Sequence, residues 1–163
     1  MHLSSSGVAV TSSSGGTIVN GHRSIEIELL LPNGSGLHSK TGLGSIHAVG
    51  HLAVTKIDAG AGTVDLASVG RAEIDAASGA VRIGTVTQWA DINAASGPVK
   101  VTCHAGRRVR VRAASGSITF TIAAEASGTV DIHSATGSIT LHGSHRPDMT
   151  INATTLCGSV RRP

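Results

Sequence analysis

The sequence predicts an all-β fold: a single-domain β-helix, or β-solenoid, of about seven regular coils of 17–21 residues with irregular N-terminal coils before them. Three observations predict it. First, one phrase recurs, as Ala76-Ala77-Ser78-Gly79-Ala80-Val81-Arg82-Ile83, then from Ala94 to Val101, from Ala113 to Phe120 and from Ser134 to Leu141. Its anchor glycines, at 44, 62, 79, 97, 116, 137 and 158, are separated by 18, 17, 18, 19, 21 and 21 residues. A period of this length suits a unit that cannot bury its apolar face alone and stacks on copies of itself. Second, apolar residues stand two and four places after the anchors with polar ones between, the period of a half-buried strand. Third, Trp89 and Phe120 are the only Trp, Tyr or Phe residues, so the interior is a thin stack of Val, Ile, Leu and Ala.

In chain order, residues 1–35 form irregular lead-in strands. Val8 and Val10 alternate after Gly7, and Ile18-Val19 follows a Ser/Gly turn, so two short strands are expected there. Ser24-Ile25-Glu26-Ile27-Glu28-Leu29 alternates cleanly and is closed by the turn signal Pro32-Asn33-Gly34. Residues 36–163 are the repeats, one continuous domain. Two after each anchor come Ile46, Val64, Val81, Val99, Ile118, Ile139 and Val160. Four after come Ala48, Leu66, Ile83, Val101, Phe120, Leu141 and then Arg162. Five before come Ser39, Ile57, Ile74, Ile92, Val111, Ile132 and Ala153. Each coil therefore holds two strands and two corners. One corner is the Ala-Ala-Ser-Gly phrase, where glycine supplies a positive φ. The other varies in length, as in Val69-Gly70-Arg71 and Ala105-Gly106-Arg107, and absorbs the insertions. No apolar i, i+3, i+4 pattern is sustained, so helices are not expected.

Stacking places like positions in columns. Lys56, Glu73, Asp91, Arg110 and Asp131 fall six before their anchors, so Asp91, Arg110 and Asp131 are expected one above another. The hydroxyls of Ser78, Ser96, Ser115 and Thr136 are expected to tie successive corners together.

Several function classes are bounded by composition. No run of 18 apolar residues exists, and the start lacks a basic region followed by an apolar one. The chain as given reads as cytoplasmic, with envelope association open if it is part of something longer. Net charge is +3 with nine histidines uncounted, a modest excess. Cys103 and Cys157 fall about three coils apart, roughly 14 Å along the axis, too far for a disulfide. Two free thiols and a reducing compartment are expected.

Catalytic and metal constellations are weak. His142 and His145 with Asp148 form the tightest histidine cluster, but two histidines and one carboxylate on a loop do not make a zinc tetrahedron. His47 and His133 fall on outward positions, and His104 lies beside Cys103 near a corner. No Gly-x-Ser-x-Gly elbow and no P-loop occur. Asp58, Asp65 and Asp75 are outward carboxylates, with Asp58 and Asp75 in one column that continues as Asn93, Arg112 and His133, without an acid and base pair. No catalytic residue, metal ligand or cofactor is assigned.

The sharpest charge feature is the stripe Arg107-Arg108-Val109-Arg110-Val111-Arg112, whose alternate arginines project from one face. Lys100 and Arg82 are expected to join it laterally if the two strand faces meet at a corner. Such a stripe is either a solvated face or a site for a polyanion. It lacks interleaved aromatics in the sequence, and Asp91 and Asp131 partly neutralise it, so no specific nucleic-acid signature is read.

The run Pro32-Asn33-Gly34-Ser35-Gly36-Leu37, then Thr41-Gly42-Leu43-Gly44-Ser45-Ile46 and Asp58-Ala59-Gly60-Ala61-Gly62-Thr63-Val64, resembles the bacterial DUF4097 family, sometimes labelled adhesin-like. The resemblance covers residues 24–162 and implies a β-helix-like solenoid with a role in adhesion or envelope-associated interaction. The acidic residue that often follows the family's glycine is here Ser45, Thr63, Ala80, Pro98, Ser117, Ser138 or Ser159, so an acidic ladder for cations is missing. The family's longer N-terminal segment is not evident either. The expected function is a non-catalytic interaction or scaffold module that binds a protein or an anionic surface, with end-to-end or lateral self-association open. Alternatives are an envelope-stress regulatory binding module and a carbohydrate-active β-helix enzyme.

Overall fold

The structure, a computed structural model, describes residues 2–5, 8–13, 16–21, 33–143 and 147–162, with side chains from residue 33 onward. It is all-β, with every assigned element a strand and all of them in one continuous sheet. The alternating Ser24–Leu29 segment and His145 lie outside the described residues.

At the N-terminal end β1 (His2–Ser5), β2 (Val8–Ser13) and β3 (Gly16–Gly21) form an antiparallel meander. The two short strands expected around Val8 and Ile18 are β2 and β3, and hairpin pairing, not coiling, joins them. From β3 onward every pairing is parallel, through β4 (Ser35–Leu43) into β5 (Ile46–Ala61), β6 (Val64–Ser78) and β7 (Val81–Ser96). Each of these last three is one coil, and the chain bends through the variable corner without losing strand character. The bend is absorbed by register shifts between Ala48 and His51 and between Val69 and Arg71.

Longer corners then break each coil into two legs. The first legs are β8 (Val99–His104), β10 (Ile118–Ile122), β12 (Ile139–His142) and β14 (Val160–Arg161). The second legs are β9 (Arg108–Ser115), β11 (Thr129–Thr136) and β13 (Thr150–Cys157). First legs stack on first legs and second on second, so the sheet path forks after β7.

The core is the set of columns read from the repeat. Val64, Val81, Val99, Ile118 and Ile139 are buried one above another, as are Leu66, Ile83, Val101, Phe120 and Leu141, and Ile57, Ile74, Ile92, Val111 and Ile132. A small-residue column, Ala59, Ala76, Ala94, Ala113 and Ser134, sits where the second leg approaches the glycine corner. At that corner the anchor N–H donates to the next coil, as in Gly97 N to Ser115 O at 3.2 Å and Gly116 N to Thr136 O at 3.1 Å. Gly97 has φ 120°, and a Cβ there would collide with the Gly79 carbonyl oxygen of the coil before. Both facts demand glycine. The corner hydroxyls donate backward: Ser115 Oγ to Ala95 O at 3.3 Å, and Thr136 Oγ1 to Ala114 O at 3.1 Å.

His104 departs from the reading that placed it at a corner beside Cys103 without a role. Its register partners are Val86 and Ile122, so it continues an apolar inward column, and it is fully buried. Both cysteines are free, Cys103 half-buried and Cys157 exposed. Among the described residues no helix is long and apolar enough to cross a membrane.

Candidate functional site

The outer face of the second leg is a grid in which columns run along the solenoid axis and rows along the strands. Strand alternation sends every other residue outward, and the parallel register aligns successive coils about 4.8 Å apart. One column reads Val54, Arg71, Trp89, Arg108, Thr129 and Thr150. The next reads Lys56, Glu73, Asp91, Arg110, Asp131 and Asn152, and the third Asp58, Asp75, Asn93, Arg112, His133 and Thr154.

Most of the grid is compensated within its columns. Lys56 Nζ meets Glu73 Oε1 at 3.0 Å, Lys40 Nζ meets Asp58 Oδ2 at 2.9 Å, Asn93 donates to Asp75 at 2.9 Å and Asn152 to Asp131 at 2.9 Å. The Lys40 ammonium has its pKa raised by its hydrogen bond and attraction to Asp58. The row from β9 is the exception. It places Arg108, Arg110 and Arg112 side by side, and among the described residues the one carboxylate within 4.0 Å of any of them is Asp91, whose Oδ2 is 3.9 Å from Arg110 Nη1. The other oxygen of Asp91 is buried without a hydrogen-bond partner.

The corner before β9 brings in a fourth arginine. Arg107 N–H donates to Gln88 O at 2.8 Å, and Gly106 is buried so close to Gln88 that a Cβ would collide with its carbonyl oxygen. Gln88 in turn accepts a hydrogen bond from Arg71 Nε at 2.9 Å. Arg71, Gln88, Trp89, Arg107, Arg108 and Arg110 thus surround a recess of about 720 Å³, with Asp91 as its one carboxylate. Trp89 is 38% exposed there, with Arg71 and Arg108 as its register neighbours on either side.

The stripe read from the sequence is therefore divided. Arg107, Arg108 and Arg110 line this recess, whereas Arg112 lines a second, shallow groove of about 800 Å³ over the alanine corner. Lys100 and Arg82 are register neighbours on the outer face of the first leg and line neither concavity. Arg71 and Trp89 were missed by reasoning along the sequence, although both stand eight residues before an anchor glycine, as Arg108 does. The aromatic is interleaved with the arginines across coils, not along the strand.

The enzyme and metal candidates are not assembled. Asp58 and Asp75 are adjacent in one column, but each has its own partner, and Asp65 lies on the first leg, 3.6 Å from His47 Nδ1. Among the described residues no three His, Cys, Asp or Glu side chains converge as a metal site. His142 is exposed, and His133 bonds Thr154 at 2.6 Å.

Sequence comparison matches residues 3–163 to the family described as Toastrack DUF4097, and the chain belongs to that family. No curated protein and no solved structure matches the chain. A β-solenoid of this family fits a non-catalytic scaffold or binding role.

Proposed function

We propose that the protein is a non-catalytic binding scaffold that presents its second-leg face to an anionic partner. The observation that carries this reading is the β9 row with the corner before it, in which Arg107, Arg108, Arg110 and Arg112 meet a single carboxylate at 3.9 Å, whereas the lysines of the earlier coils, Lys40 and Lys56, meet carboxylates at about 3 Å. Guanidinium groups without internal partners are suited to phosphate and carboxylate acceptors. The rigid stack fixes their spacing, so little order has to be imposed on binding. The adhesin-like role attached to the family reduces, on this reading, to attachment through such a partner, and the free thiols accord with a reducing compartment.

The test is salt-dependent retention on immobilised heparin, used as a general polyanion. The wild-type chain is expected to elute at higher salt than an Arg108→Glu/Arg110→Glu variant, because each lost phosphate-like contact lowers the salt slope. Equal elution of the two would overturn the reading.

A further inference from the structure

Trp89 sets the recess apart from the rest of the arginine face. A large indole left more than one-third exposed forgoes burial that the same residue would gain inside, and it is the chain's one tryptophan. Its surroundings are polar: Gln88 beside it, Arg71 and Arg108 in the adjoining coils, and one carboxylate, Asp91, set against four arginines and 3.9 Å from Arg110. An acyl chain or an apolar peptide segment would find one aromatic ring, with only Ala90 and Thr87 beside it, among charged side chains. A planar π-system carrying negative charge satisfies both parts of the lining, by stacking on the indole and by accepting from the guanidiniums.

We infer that this recess binds a nucleoside phosphate, with the base lying against the Trp89 indole and the phosphates held by Arg107, Arg108 and Arg110. The inference rests on the anion-binding reading above and narrows its ligand. Arg71 is pre-positioned for the same purpose, since its Nε is tied to Gln88 Oε1 at 2.9 Å while its terminal nitrogens remain donors. Gln88 also supplies an amide that can meet the edge of a base. The base and its phosphate can come from a free nucleotide or from a single strand, and the chemistry of the recess is the same for both.

Because Trp89 is the sole tryptophan, its fluorescence reports on this recess alone. The experiment titrates the protein with ADP, pyrophosphate, adenosine and hexa-adenylate, following indole emission and, in parallel, heat by calorimetry. ADP is expected to quench the emission saturably and to bind about tenfold tighter than either pyrophosphate or adenosine. Arg108→Ala and Trp89→Leu, each checked for an unchanged β-type circular dichroism spectrum, are expected to weaken ADP about tenfold by calorimetry, and Lys100→Ala on the other leg to leave it unchanged. Tighter quenching by hexa-adenylate than by ADP identifies a strand as the source, and the reverse identifies a free nucleotide. Pyrophosphate binding as tightly as ADP, or no quenching by about 1 mM ADP, overturns the inference. If heparin retention persists in that case, the anion-binding scaffold stands without it; if retention is also indifferent to the β9 arginines, both fall.

Discussion

The imidazole of His104 and the phenyl ring of Phe120 lie with centroids 5.6 Å apart and planes inclined by 48°, sealed together inside the stack. Both ring nitrogens of His104 are buried without a hydrogen-bond partner, an arrangement that penalises the charged form. Burial lowers its pKa from 6.5 to about 4.

A pH dependence of stability follows. Since the folded pKa lies below the unfolded one, the unfolded chain binds the extra proton between them. The His104 contribution is fully present above pH 6.5 and is lost as pH falls from there toward 4. Across that window the loss is about 3 kcal/mol. Urea denaturation at a series of pH values checks it. His104→Leu is expected to remove this part of the pH dependence and to raise stability at neutral pH by about 1 kcal/mol, because it ends the unsatisfied burial in a column that otherwise holds Leu52, Val69, Val86 and Ile122.

Gly97→Ala is expected to be among the most damaging of small substitutions. It forces a side chain into φ 120° and into the Gly79 carbonyl at once. The expected loss is about 2 kcal/mol or more, measured by the urea midpoint. Substitution of Ser117, exposed at the equivalent corner of the next coil, by alanine is expected to change stability by less than about 0.5 kcal/mol.

Core and face should separate cleanly in mutant stability. Ile118, 1% exposed and paired with Val99 and Ile139, is expected to cost about 2–5 kcal/mol as Ile118→Ala. Glu73→Gln breaks the exposed bridge to Lys56 and is expected to cost less than about 1 kcal/mol, and less still in high salt.

The two thiols should react independently. Exposed Cys157 is expected to be labelled quickly by a thiol reagent and half-buried Cys103 slowly, giving two phases, with Cys157→Ser removing the fast one. A single disulfide-protected species would contradict the separation of the two coils.

Much of this architecture was legible because a solenoid converts sequence offsets into spatial neighbours. Once the anchor glycines are aligned, Val81, Val99 and Ile118 must stack, and so must Asp91 and Arg110. What failed was reasoning along the strand alone. Trp89 is remote in sequence from Arg71 and Arg108, yet cross-strand pairing makes it their neighbour on the face, so an aromatic absent from the arginine run is present in the recess. His104 escaped for a different reason: its polarity signals a surface, and alternation from Val99 and Val101 points Cys103 inward, whereas the register shift opposite Phe120 and Ile122 breaks that alternation and brings His104 into the inward column. The antiparallel pairing of β1, β2 and β3 carried no repeat signal, because strands outside the period leave the alignment of coils silent about their direction.

The most direct measurement of the central relationship is a set of methyl nuclear Overhauser contacts among Val81, Val99 and Ile118 in selectively labelled protein. In-register parallel coils predict strong cross-peaks from Val81 to Val99 and from Val99 to Ile118, at separations of about 5 Å, with a weak or absent one from Val81 to Ile118. Missing neighbour contacts, or equal contacts among all three, would contradict the stack and with it the alignment of Trp89 between Arg71 and Arg108.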